Sequence, residues 1–154
     1  MIFPLSQVVI DQKMRGLCRR PYPLHPKGCP NFAHNEGCPP SRPLWNLQPP
    51  FYAVVNEFDL GAHVARMREL HPGWSQRQLE CCLYWQGGAR KILKDEIQRF
   101  RRDHGSLIVD TCPEAAGVNV TETLALAGIE LEWPPVAIVR QVAIAGRPPH
   151  AGEE

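Results

Sequence analysis

Between Cys18 and Pro50 fall nine of the chain's sixteen prolines, and this density constrains the fold more than any other feature. Proline fixes φ and removes a backbone donor, so the stretch from Cys18 to Cys38, with Pro21, Pro23 and Pro26, can be neither a helix nor a central strand. The twenty-one residues 18–38 hold three cysteines, two of them in a repeated frame, Gly28-Cys29-Pro30 and Gly37-Cys38-Pro39. Tyr22, Phe32, Leu44, Trp45 and Leu47 are apolar anchors that a solvated tail rarely carries, so residues 18–50 read as an ordered loop. Long ordered loops inside a compact domain are usually functional. One so rich in soft ligands reads as a wrap around a metal or an iron–sulfur cluster.

The remainder of the chain can support such a loop without covalent staples. At 154 residues it fits a single domain, 1–154, large enough to bury a core. A formal net charge of +1 implies no nucleic-acid partner from bulk charge. The start, Met1-Ile2-Phe3-Pro4-Leu5, lacks the basic region of a secretory signal, and no apolar stretch has the length of a membrane span. The expected compartment is the cytoplasm, where thiols stay reduced. Six cysteines could form three disulfides. The reducing compartment, the adequate core and the adjacent pair Cys81-Cys82 argue instead for ligands or reactive thiols.

Apolar patterning places the elements. Residues 6–10 suggest a short strand, and Phe51-Tyr52-Ala53-Val54-Val55 a buried one. Residues 60–70 read as a helix with Leu60, Val64, Met67 and Leu70 on one stripe. Ser75 and Gln78 form a capping box that opens a second helix through Leu79, Cys82 and Leu83. Gly87-Gly88 breaks the pattern, and a third helix from Ala89 carries Ile92, Leu93, Ile97 and Phe100 on one face. A strand over 107–109 leads to Asp110-Thr111-Cys112, Asn119 with Glu122 opens another helix, and 136–144 form a last strand or hairpin arm. Residues 145–154 read as a flexible tail. Strands separated by helices predict an α/β domain with a partly parallel sheet and flanking helices.

The spacing of the loop cysteines bears on what they hold. Ten residues separate Cys18 from Cys29 and eight separate Cys29 from Cys38. Neither gap is the tight hook of a structural zinc site or the run of a bacterial ferredoxin. Wide gaps suit a larger object approached from several directions. Glycine before a cysteine lets the backbone come close, and proline after it stiffens the ligand, both of which tune a cluster. Cys112, just past the end of a strand, is the fourth candidate, with a small buried hydrophobe as the alternative reading. His25 and His34 could replace a cysteine or order it, but read first as solvated or proline-packed. His63, His71, His104 and His150 read as surface residues. Glu57, Asp59 and Asp110 follow strands, where acid/base residues often sit, though capping explains them equally. Gly87-Gly88-Ala89-Arg90-Lys91 reads as a helix–helix joint rather than an anion site.

The run Cys18…Pro21-Tyr22-Pro23-Leu24-His25-Pro26-Lys27-Gly28-Cys29-Pro30-Asn31, with Cys38-Pro39-Pro40, resembles a family of small cysteine-rich proteins, predicted to bind a metal or iron–sulfur cluster, whose cysteine-tyrosine loop ends in Cys-Pro-Pro. The stretch Pro113-Glu114-Ala115-Ala116-Gly117-Val118-Asn119-Val120 is similar to the same family's Glu-Ala-x-Gly-Ile-Asp-Val segment. The resemblance implies a metal-binding or cluster-binding α/β protein. The family's later, closely spaced cysteine group has no counterpart here, which leaves Cys112 and Cys81-Cys82 as the remaining thiols.

These readings converge on an iron–sulfur protein holding a [4Fe–4S] cluster through Cys18, Cys29 and Cys38, with Cys112 as fourth ligand or active-site neighbour. Full capping of the irons favours electron transfer with a redox partner protein. An open iron favours Lewis-acid chemistry on a small-molecule substrate. The alternative is a zinc-stabilised, non-enzymatic interaction module, which exposed tryptophans among Trp45, Trp74, Trp85 and Trp133 would favour.

Overall fold

The structure, a computed structural model, describes residues 1–149. Its centre is β2 (Gln48–Asp59), whose residues Ala53, Val54, Val55 and Asn56 are all buried. Alternate residues of a strand face opposite sides, so burial of the whole run requires cover on both faces. One face is covered by α3 (Gln86–Asp103), whose Leu93, Ile97 and Phe100 pack on Val54 of β2 and on Ala143 and Ala145 of β4 (Ile138–Arg147). The other is covered by α4 (Val120–Ala125), whose Val120 and Leu124 pack on Ala53, Val55 and Ile144. Trp45 and Phe51 flank that second cluster.

The sheet has four strands in the order β1-β2-β4-β3, with β1 spanning Ile2–Leu5 and β3 Ile108–Asp110. Every neighbouring pair is antiparallel. This corrects the expectation of a partly parallel sheet. The helix-linked strands β2 and β3 do run in the same direction, since both are antiparallel to β4. They are not neighbours, because β4 is inserted between them, giving a split β-α-β unit. Tyr52 and Val109 both pair with Ala145 from opposite sides.

Local signals explain the remaining elements. α1 (Leu60–Leu70) starts where expected, with the Asp59 carboxylate accepting from the Ala62 N–H at 2.8 Å. α2 (Gln76–Leu79) has the Ser75–Gln78 capping box but ends at Leu79, and a 3-10 turn, Cys82–Tyr84, follows it. Cys82 therefore lies half-buried in a turn rather than on a helix face in the core. α3 begins at Gln86 and runs through Gly87-Gly88, which was read as a break; both glycines face open space. Behind them, the buried Asn56 side chain donates to the Ala89 carbonyl at 2.6 Å and accepts from the Gln141 N–H at 2.9 Å. Asn119 caps α4 by accepting from the Glu122 N–H at 3.1 Å.

Two expected strands shift. Residues 6–10 are not a strand; β1 lies earlier, at Ile2–Leu5, and only Ile10 makes a bridge, to Val118. β4 is one continuous strand that reaches Arg147, three residues into the segment read as a tail from 145. The rest of that tail, from residue 150 on, with His150, lies outside the described residues. Among the described residues no helix is long and apolar enough to cross a membrane.

Candidate metal centre

The loop is anchored where it leaves the sheet. Residues on either side of Ile10 pair with the segment around Val118: the Asp11 N–H donates to the Gly117 carbonyl at 2.7 Å, and the Asn119 N–H to the Val9 carbonyl at 2.8 Å. Gly117 has φ +86°, and a Cβ there would stand 3.1 Å from Leu44 Cδ2, so this turn is reserved for glycine. A 3-10 helix, Gln12–Arg19, capped by Asp11, then packs against a second, Pro113–Ala116. Cys18 lies near the end of the first and Cys112 immediately precedes the second, without a capping hydrogen bond from its side chain. Two short helices thus bring together cysteines far apart in sequence.

Cys29 is tied directly to Cys18. Its N–H donates to the Cys18 carbonyl at 2.8 Å. Gly28 makes this approach with φ +89°, and a Cβ on it would fall 2.6 Å from the Cys18 oxygen. The first Gly-Cys-Pro frame therefore meets the expected reason for its glycine. The second does not: an added Cβ on Gly37 would meet nothing nearer than Asn35 Oδ1 at 3.4 Å. Cys38 is held instead by its neighbours, its N–H donating to the Asn35 carbonyl and its own carbonyl accepting from the Arg42 N–H, both at 3.0 Å.

Two arginines close the loop. Arg15 donates to the carbonyls of Pro40 at 3.1 Å and Arg42 at 2.6 Å. Arg42 donates to the Cys112 carbonyl at 3.2 Å and pairs with the Asp110 carboxylate, whose other oxygen accepts from the Cys112 N–H at 2.9 Å. The end of the loop is thereby fastened to the end of β3. Sequence reasoning missed both arginines, and it left Asp110 as an acid/base candidate although its carboxylate is engaged in this clamp. Glu57 pairs with Arg140 and Asp59 caps α1, so these two also have structural roles.

All six cysteines are free thiols. Cys18, Cys29 and Cys38 are half-buried, whereas Cys112 is exposed, which does not fit the alternative reading of it as a buried hydrophobe. Burial pushes the Cys18 thiol up, and the neighbouring charges of Cys29, Cys38 and Glu114 push it further. Cys112 is pushed up to about 11, first by burial, then by Glu114 and Cys18. Burial also raises the Glu114 carboxyl, with Asp110 adding to it. Cys18 is thus the point where the predicted ligands meet electrostatically, near Cys29 and Cys38 on one side and Cys112 on the other, with Glu114, which was not singled out in advance, beside both Cys18 and Cys112. Mutually repelling thiolates are the donor chemistry that a bound cation or cluster stabilises. Among the described residues, no three His, Cys, Asp or Glu side chains are arranged so as to hold a metal ion.

The other candidates stand apart. His25 lies against Tyr22 with ring centroids 4.6 Å apart and the rings tilted by 36°, and His34 is exposed. Cys82 is pushed up by burial and by Cys81, with none of the four loop-side thiols involved. His63, read as a surface residue, is only 3% exposed and packs on Phe58, and its Nε2 has no hydrogen-bond partner. His71 stacks on Trp74, and His104 lies against Tyr52 and Phe100.

The fold and site together define an all-antiparallel, helix-covered sheet carrying a cysteine-lined loop. In comparisons with family models, curated proteins and solved structures, no match to this chain was found.

Proposed function

We propose that the chain is an iron–sulfur protein in which Cys18, Cys29 and Cys38 hold a [4Fe–4S] cluster and Cys112 is the fourth ligand or stands beside an open iron. The observation that carries this reading is the closure of the loop on β3, where Arg42 spans the Cys112 carbonyl and Asp110 while Cys29 is hydrogen-bonded to Cys18. The free thiols and the resemblance of the two cysteine-bearing segments support it. A cytoplasmic, thiol-reducing compartment follows from the same reading.

Such a cluster supplies one-electron transfer or, at an open iron, Lewis acidity toward a small molecule. The chain's own residues supply the rest. Gly28 and the Cys29 N–H fix the distance between two ligand-bearing segments. Arg15 holds the loop by binding the Pro40 and Arg42 carbonyls, and Arg42 ties it to the Cys112 carbonyl beyond β3. Arg42 also neutralises Asp110, which would otherwise add negative charge beside Cys112.

Anaerobically purified protein is expected to be brown, with broad visible absorption and several irons and sulfides per chain. A colourless protein holding a single zinc overturns the cluster reading. The zinc-stabilised interaction module would then stand, favoured by Trp133, which is 70% exposed. Cys112→Ser separates the two cluster forms. Lost iron marks ligation, whereas retained iron with lost turnover marks a role beside the open site.

A further inference from the structure

α3 carries more charge than covering the sheet requires. Its inner face, Ala89, Leu93, Ile97 and Phe100, is buried. Outward and to one side of it lie Arg90, Lys91, Lys94, Gln98, Arg101 and Arg102, all exposed. At about 100° and about 1.5 Å per residue, these six fall within roughly 120° of arc and extend over about 18 Å. Arg90, Lys94 and Arg101 make one row, Lys91 and Arg102 a second, and Gln98 lies between the rows. The acidic residues of the helix, Asp95, Glu96 and Asp103, fall outside this stripe. Glu96 is engaged by Arg99 at 2.9 Å and by the N-terminal amine at 3.4 Å. Among the described residues none of the five cations forms an ion pair. In a chain of formal net charge +1, they are a local concentration that the bulk value conceals. Gly87, on the same side, has nothing within 4 Å of an added Cβ, so no other element shields the start of the stripe.

What the stripe fits follows from what it contains and what it lacks. A helix that binds a membrane surface inserts its apolar face among the lipids, and that face of α3 is already packed on Val54, Ala143 and Ala145. Ile92, 44% exposed, lies on the opposite flank from the cations. A protein partner is held by an apolar or aromatic centre, and the stripe has none. Phosphates need only cations and polar donors. Two rows of cations on either side of a polar ridge match the two phosphate rims of the major groove of B-form DNA, which is about 12 Å wide and admits a helix. The major groove of A-form RNA is too narrow for such an approach.

We propose that the outer stripe of α3 binds double-stranded DNA across its major groove. Arg90, Lys94 and Arg101 meet the phosphates of one rim, Lys91 and Arg102 those of the other, and Gln98 is turned toward the base edges. Phosphate contacts carry no sequence information, so binding is largely independent of sequence. It is also independent of what the cysteine loop holds, so the iron content of the protein does not bear on it.

The test is fluorescence anisotropy of a labelled, random-sequence DNA duplex with the full chain. Micromolar affinity is expected at about 50 mM salt, and log affinity should fall against log salt with a slope of about −4 if about five phosphates are neutralised. Arg90→Glu with Lys94→Glu should weaken binding at least tenfold. Lys91→Gln with Arg102→Gln should make the salt slope shallower by about two. Lys13→Glu with Arg20→Glu, exposed on the 3-10 helix Gln12–Arg19 and at its C-cap, changes the net charge as much as the first pair and should leave binding within twofold. Every substituted position is exposed, and circular dichroism of each variant separates lost binding from lost fold. An RNA duplex of the same sequence and vesicles containing phosphatidylserine are the competing polyanions. Equal or tighter binding of either one overturns the proposal. So does a salt-insensitive affinity, indifference to the Arg90/Lys94 reversal, or an equal loss in the Lys13/Arg20 variant.

Discussion

Gly28 is the residue on which the loop's geometry depends most directly. An alanine there must adopt a left-handed φ, costing roughly 1–2 kcal/mol, and its Cβ would press to 2.6 Å from the Cys18 carbonyl oxygen. Gly28→Ala is expected to lose about 2 kcal/mol or more and most of its bound iron, whereas Gly37→Ala, with no such contact, should retain both. Thermal melts with iron analysis of the two variants check this. His63 gives a second prediction at the same scale. Burial and the charge of Arg66 lower its pKa from 6.5, so the unfolded chain takes up protons that the folded chain refuses. The stability contribution is complete above pH 6.5 and is lost progressively as pH falls below that value toward the folded pKa. A fit of Tm against pH from 7.5 to 5 should show a downward slope toward acid that is shallower in His63→Leu.

At the level of elements, the clamp between the loop and β3 and the α3 face of the sheet make separable predictions. Arg42→Ala leaves the half-buried Asp110 carboxylate unpaired and frees the Cys112 carbonyl. Since the pair is partly solvated, a cost of about 2–3 kcal/mol is expected, short of the fully buried case. Limited proteolysis should then cut within 20–41 many times faster, while amides of β2 and β4 keep their exchange protection. Phe100→Ala empties a fully buried site between α3 and the sheet and should cost roughly 3–5 kcal/mol in urea unfolding, without selective exposure of the loop. Sequence reading succeeded where the signal is local. The apolar stripe placed α1 at its observed bounds, and the Ser75 box placed the start of α2. It failed where the signal is a partner across space. Arg42 meets Asp110 over a separation of 68 residues, and nothing near either residue marks the pairing. Gly87-Gly88 was read as a break because glycine is a poor helix former, yet tertiary packing of α3 outweighs about 1 kcal/mol per glycine.

For the whole molecule, the same contrast explains the corrected sheet. β2 and β3 have the apolar, β-branched character of strands joined through helices, and they do run in parallel, but strand order is set by which edge the last strand finds. The composition of β4 does not announce that it will pair with both. The candidate site was legible in outline because Cys, Gly and Pro in a dense loop are chemically explicit. Glu114, Arg15 and Arg42 were not, since a charged residue reads as solvated until a fold buries it.

The position of β4 has a further consequence for how the protein comes into being. The inner strand β4 is made after the three strands it assembles with, and until Ile138–Arg147 is available β3 has no hydrogen-bonded neighbour and β2 has only β1. The loop cysteines are thus synthesised a hundred residues or more before the strand that completes their platform. Under the cluster proposal, iron would be acquired only once β4 is in place, by a nearly complete sheet. Chains ended before Ile138 are expected to accumulate as insoluble, iron-free protein, whereas chains ended after Pro149 should remain folded, as fractionation and circular dichroism of the two truncations would show.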